Sequence, residues 1–318
     1  MTKKLLFIGN TRLGDAVMST GLLNSLCIHY KAEATVVCGS VAKPIFKSFP
    51  NVIKVITLNK KKYSMHWFDV WKEVKKVKWD IVYDLRSTPI IWIISAKKRV
   101  VLSTRDSKVS HRIHRLSRID PRENQPIPKV WISSADSSEA KLYLKSYKSP
   151  YIVIGPTANW PAKIWSVNKF AKLITNIMKY ENFKGGTIVL VGGPGEEKIG
   201  KDLEKLVNNI KIVNLIGRPV MPTAAVFALS DVFIGNDSGL MHLSAATGIP
   251  TLGLFGPTDD KLYSPSGKKC KVVRTPESPT LLMSSPSFDH RTSGSLMNSL
   301  TVEMVEKALK NLLNIGSI

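Results

Sequence analysis

Asn236, Asp237, Ser238 and Gly239, with His242 one helical turn further on, place short oxygen side chains, a permissive glycine and an imidazole within a few residues. Short oxygen side chains at a helix start accept hydrogen bonds from its free N–H groups. Those N–H groups and the positive end of the helix dipole make a natural anion site. The expected chemistry is therefore the holding of a phosphate or diphosphate at residues 237–240, Leu240 being the first apolar residue of the helix. The flanks supply the elements that position it. Residues 232–235 are a β-branched and aromatic run, 240–247 a helix of small and apolar residues stopped by Gly248 and Pro250, and 251–255 a second apolar strand.

Other turns carry chemistry of the same kind. Asp15 lies in Arg12-Leu13-Gly14-Asp15, between an apolar strand at 3–9 and a helix at 16–29. A carboxylate there favours the helix N-terminus, and at the first strand-to-helix turn it also faces the ligand edge, where it can take a proton from a hydroxyl. Lys163 sits in Trp160-Pro161-Ala162-Lys163-Ile164-Trp165, in the polar turn 156–163 that also holds Thr157. It reads either as one more exposed lysine or as a point charge on a departing diphosphate. Gly192-Gly193-Pro194-Gly195 leads to Glu196, which either favours the next helix or binds ribose hydroxyls. His242 reads equally as a structural group or as a donor to phosphate.

The elements that must carry these turns form two series. Strands at 3–9, 34–38, 52–58 and 80–85 alternate with helices at 16–29, 44–49 and 68–78, after which 97–122 reads as irregular and basic. Lys148-Ser149-Pro150 breaks the chain. Strands at 151–155, 187–191, 212–215, 232–235 and 251–255 then alternate with helices, and a threonine-capped helix at 301–313 comes last. The fold class expected is α/β, two Rossmann-like parallel-sheet domains facing each other across a cleft, with ligands at the C-terminal strand ends. The boundaries drawn are 1–148 and 149–318, with the last helix packed on the body or back on the first domain.

Composition bounds the partners. Across 318 residues, 43% apolar and 22% charged content is that of a globular protein, while a net charge of +22 points to anionic partners: nucleic acid, a membrane surface or phosphorylated glycans. Cys27, Cys38 and Cys270 suit a reducing cytoplasm better than a disulfide frame. The first apolar run is too short for a secretory signal. The run at 89–96 is too short to span a bilayer; it reads as core, or as a surface contact through Ile90, Ile91 and Trp92. There is no phosphate-binding Gly-Lys-Ser/Thr loop, no Gly-x-Ser-x-Gly elbow and no metal-ligand frame, which favours metal-independent chemistry.

The ordered motifs resemble those of glycosyltransferase family 9, the heptosyltransferases of lipopolysaccharide core synthesis. Asp237-Ser238-Gly239 with His242 and Gly256-Pro257-Thr258-Asp259 is similar to the family's donor-site signature, and Arg12-Leu13-Gly14-Asp15 to its N-terminal segment. Lys163-Ile164-Trp165 resembles its Lys-Arg-Trp-Pro motif, with Ile164 and Ser166 standing in place of arginine and proline. Residues 192–196 resemble the segment whose glutamate holds the donor ribose. The resemblance implies a GT-B fold and an inverting, metal-independent transfer with no cofactor, from ADP-heptose to Kdo–lipid A or a heptosyl core acceptor. It makes Asp15 the base, Lys163 the phosphate contact, and Thr157, Glu196, Asp237, Ser238, Gly239, Leu240 and His242 the donor site. It implies a cytoplasmic enzyme at the inner face of the inner membrane. The alternatives are a family 9 enzyme with another donor, a nucleotide-sugar epimerase of similar fold, and a basic nucleic-acid binder. Against the last, the aromatics stand apart from the basic runs.

Overall fold

The computed structural model describes residues 2–59, 61–103, 111–122, 125–290 and 292–315. The chain forms two compact units, Met1–Trp131 and Ile132–Ile318. In the first, strands β1 (Lys3–Ile8), β2 (Ala32–Gly39), β3 (Val52–Leu58), β4 (Trp79–Asp84) and β5 (Ala96–Val101) are joined in parallel in the order β3-β2-β1-β4-β5. The helices are α1 (Leu13–Tyr30), α2 (Lys43–Lys47), α3 (His66–Val74) and α4 (Arg112–Ser117). Parallel strands sheathed by helices are apolar on both faces, and Leu5 to Ile8 of β1 are fully buried. On one face, α3 and the 3-10 turn Pro89–Trp92 bury Val70, Val74, Ile90 and Ile91 against Leu6, Ile8, Val37 and Val82.

The stretch read as irregular holds an edge strand and a helix instead. β5 is Ala-Lys-Lys-Arg-Val-Val, and its charged residues mask the strand pattern, a common trait of edges. Arg99 is not a surface charge: its guanidinium donates to the carbonyls of Ile91, Ala96 and Ile94, each at 2.8 Å. Arg105, Asp106 and Lys108 of the basic stretch lie outside the described residues.

The second unit contains β6 (Tyr151–Gly155), β7 (Thr187–Leu190), β8 (Lys211–Asn214), β9 (Val232–Asn236), β10 (Thr251–Phe255) and β11 (Cys270–Arg274), parallel in the order β11-β10-β9-β6-β7-β8. Its helices are α5 (Ser134–Leu144), α6 (Val167–Ile177), α7 (Glu197–Leu206), α8 (Val220–Ala228), α9 (Gly239–Thr247), α10 (Asp260–Tyr263), α11 (Pro279–Leu282) and α12 (Val302–Leu313). Because α5 packs on α8, the units part before it, between Trp131 and Ile132, and not at residue 148. The last helix is likewise part of this unit: α12 lies on α6, β10 and β11, and puts Val302, Val305 and Leu309 in one core with Trp165 and Phe170.

In each sheet the order in which the chain lays down its strands reverses once, between β1 and β4 and between β6 and β9. In doubly wound sheets the crevice at the carboxyl ends of such strand pairs is where ligands bind. Gly155 and Gly235 sit opposite each other in the β6–β9 register. A methyl group on Gly235 would come within 2.7 Å of the Gly155 carbonyl oxygen, so these strands tolerate no side chain there.

Candidate active site

The carboxyl ends of β6 and β9 carry the residues singled out for phosphate chemistry. β9 ends in Asn236, which is fully buried and fastens two neighbouring turns. Its amide donates to the Pro156 carbonyl at 2.9 Å, and its Oδ1 accepts from the Trp165 backbone N–H at 3.1 Å. The turn after β6 is thereby locked to the end of β9. This brings Lys163 to Asp237, with Nζ 3.1 Å from Oδ2 and both side chains about nine-tenths buried. The reading of Lys163 as one more exposed lysine does not hold. Its ammonium also lies 5.3 Å from the centre of the Trp160 ring.

Ser238 has an extended backbone, and its Oγ accepts from the Met241 N–H at 3.4 Å as the cap of α9. Ser238, Gly239 and Leu240 are only partly buried, so the start of α9 is open, while His242 one turn on is buried. An open helix start next to a lysine held by a single carboxylate is an arrangement suited to a diphosphate. A bound anion would share the Lys163 ammonium with Asp237, so that neither buried charge loses its partner.

Thr157, Gly192 and Glu196 meet at the ends of β6 and β7. A methyl on Gly192 would lie 3.0 Å from Thr157 Oγ1 and 3.1 Å from Glu196 Oε2, so the missing side chain lets these two groups approach. Glu196 Oε2 accepts from the Gly193 N–H at 2.6 Å, which fixes the carboxylate beside its own turn. The turn around Lys163 is held from behind by residues 295–300. Ser295 Oγ donates to the Ile164 carbonyl at 2.6 Å, the Leu296 N–H to the Ala162 carbonyl at 3.0 Å, and the Trp165 indole to the Leu300 carbonyl at 2.9 Å. Ser166 caps α6, with its Oγ accepting from the Lys169 N–H at 3.3 Å.

Asp15 belongs to the first unit, in the opening turn of α1. Its Oδ1 lies 3.7 Å from Arg112 Nε, the first residue of α4. β4, the neighbour of β1 in the sheet, ends in the buried Asp84, which accepts from the Arg86 N–H at 2.8 Å, the Thr88 N–H at 2.5 Å and the Thr88 hydroxyl at 2.7 Å.

Sequence reasoning missed Asn236 as a fastener and Arg112 as the partner of Asp15. An asparagine ending a strand just before Asp-Ser-Gly was visible, but only as a turn former. The partner of Asp15 lies too far along the chain for any spacing rule to connect. Asn236 and Thr258 each add a buried polar atom near the strand ends, and the Thr258 hydroxyl has no hydrogen-bond partner among the described residues.

Residues 115–287 match Glycosyltransferase family 9 (heptosyltransferase). The chain is 28% identical to Lipooligosaccharide heptosyltransferase 2 of Campylobacter jejuni, over 95% of its own length and 97% of that protein's. Its fold is similar to the crystal structure of a glycosyl transferase family 9 protein from Veillonella parvula, with a TM-score of 0.83, 21% identity and coverage of 99% and 98%. It is also similar to E. coli ADP-heptose LPS heptosyltransferase II, with a TM-score of 0.77, 22% identity and coverage of 98% of each chain.

Proposed function

The chain belongs to glycosyltransferase family 9, and from that premise we propose that it transfers heptose from ADP-heptose to the inner core of lipopolysaccharide, the acceptor being Kdo–lipid A or a heptosyl sugar. The observation that carries the reading is the buried Lys163–Asp237 pair beside the open start of α9. In one displacement, the acceptor hydroxyl oxygen bonds to the anomeric carbon as the bond from that carbon to the diphosphate oxygen breaks, inverting the centre. Asp15 takes the hydroxyl proton, and ADP departs carrying the electron pair. Lys163 and the N–H groups from Ser238 to Leu240 meet the charge that grows on the leaving phosphate, assisted by His242. Glu196, with Thr157 beside it, holds the ribose. This chemistry uses no resident metal or cofactor, since lysine and helix dipole supply the positive field.

The similarity to proteins named for heptose transfer supports the donor. The net charge of +22 supports an anionic acceptor. The acceptor's lipid anchor would keep the working enzyme in the cytoplasm, at the inner face of the membrane. No helix among the described residues is long and apolar enough to cross a membrane.

The test begins with calorimetric titration of ADP, UDP and GDP into the wild type and Lys163→Ala. Selective ADP binding that weakens in the variant, with Asp15→Asn retaining ADP affinity but losing turnover of ADP-heptose by about a hundredfold or more, is the expected result. Equal weak binding of all three nucleotides would remove the donor-site assignment.

A further inference from the structure

The first unit exposes a patch that its own core does not explain. Ile90 and Ile91, offered by the sequence as membrane contacts, are buried, but the next two residues are not: Trp92 is 70% and Ile93 65% exposed. α3 packs into the same apolar cluster, and so lies on the same side of the sheet. It leaves Phe68 exposed, as are Met65 and, in the turn before it, Tyr63 at 95%. Tyr63 is held there in left-handed backbone, with φ at 51°.

Lysines are set among these rings. Residues 61–78 contain six lysines and two acids. Both acids are already paired, Asp69 with Lys61 at 2.7 Å and Glu73 with Lys54 at 2.5 Å. Phe68 and Trp71 stack at 5.6 Å, with Lys72 Nζ 4.4 Å above the Phe68 ring and Lys75 Nζ 4.0 Å above the Trp71 ring. The sequence reading sets aromatics apart from basic runs, yet on α3 the two coincide. This is still a poor platform for nucleic acid, because lysines occupy the ring faces on which bases would stack. Exposed tryptophan, tyrosine and isoleucine beside snorkelling lysines match instead the headgroup zone of an anionic bilayer.

We propose that α3, the turn before it and the segment at Trp92 and Ile93 form the surface by which this protein docks on anionic lipid. The choice of a bilayer as occupant rests on the glycolipid acceptor proposed above. The lysines attract the phosphate headgroups, and Trp92, Ile93, Tyr63 and Phe68 enter the interface.

Cosedimentation of the full chain with vesicles of equimolar phosphatidylglycerol and phosphatidylethanolamine, and with vesicles of phosphatidylcholine, tests this. Wild type should pellet with the anionic vesicles and stay in solution with the zwitterionic ones. The variants Trp92→Ser/Ile93→Ser and Lys72→Glu/Lys75→Glu/Lys76→Glu should each lower anionic binding by about tenfold or more, while Lys198→Glu/Lys201→Glu/Lys205→Glu on α7 leaves it near wild type. Circular dichroism and ADP titration verify that the variants are folded. Unchanged vesicle binding in both patch variants would overturn the proposal. So would an equal loss in the α7 control, which would reduce the effect to net charge. Vesicle binding retained in the Trp92 variant, together with a smaller assembly than wild type in size-exclusion chromatography, would overturn the proposal and make the patch a self-association face. Vesicle binding needs no nucleotide, so docking can fail while ADP binding and heptose transfer stand, and the reverse.

Discussion

Lys163 and Asp237 are buried as a pair, and their burial separates two roles that a single substitution would confuse. Removing one partner strands the other charge away from water, at a cost of about 3 kcal/mol, whereas removing both leaves a neutral site of similar volume. Lys163→Met and Asp237→Asn should therefore each lower the urea midpoint, and the double variant should recover most of that loss. Turnover should behave otherwise, staying down by about a hundredfold in Lys163→Met and in the double variant, because no cation then meets the leaving diphosphate. Recovery of activity together with stability would reduce the pair to a structural role. The thiols report on the same interior. Burial pushes Cys27 and Cys38 up to about 12. A protonated thiol kept in the fold adds stability below the ordinary thiol value, and that stability is lost as pH rises through it toward the raised one. Urea midpoints should fall between about pH 8 and about pH 10, with Cys38→Ala flattening the decline. A thiol reagent should reach partly exposed Cys270 before the other two.

At the scale of elements, the site depends on how closely β6 and β9 approach. Gly235→Ala would press a methyl against the Gly155 backbone and should cost about 2 kcal/mol. It should also weaken ADP binding, since Asn236 and Asp237 ride on the end of that strand; unchanged affinity would show that the turn is positioned by its own hydrogen bonds alone. The strands and helices that carry Asp15, Lys163, Glu196 and Asp237 were legible because each is an apolar run ended by glycine, proline or a short polar residue. β5 and α4 were not, since Lys97, Lys98 and Arg99 hide an edge strand behind charge. β11 was missed because in Cys270–Arg274 a lysine and an arginine flank only two valines. The residue types of the site were readable, but its fasteners were not. Asn236 bonds to residues 80 and 71 positions away, and those bonds exist only once the sheet has formed.

For the whole molecule, two units with separate cores imply that a ligand of one need not stabilise the other. ADP at about a hundred times its dissociation constant should add about 2.7 kcal/mol to whichever unit binds it. Hydrogen exchange should then show slowed amides in β6, β9 and α9, and little change in β1 to β5. Uniform protection across both sheets would mean that the units open together.

The order of the chain gives the core of the second unit a schedule. Val302, Val305 and Leu309 of α12 close an apolar layer that also holds Ile152 and Ile154 of β6, yet α12 is made after all six strands of that sheet. During translation, at roughly 5–20 residues per second, the first unit can fold on its own while β6 waits on the order of ten seconds for its last covering. Through that interval the nascent second unit is a candidate for chaperone binding, and a ribosome stalled between β11 and α12 would carry a finished first unit and an unsealed second one.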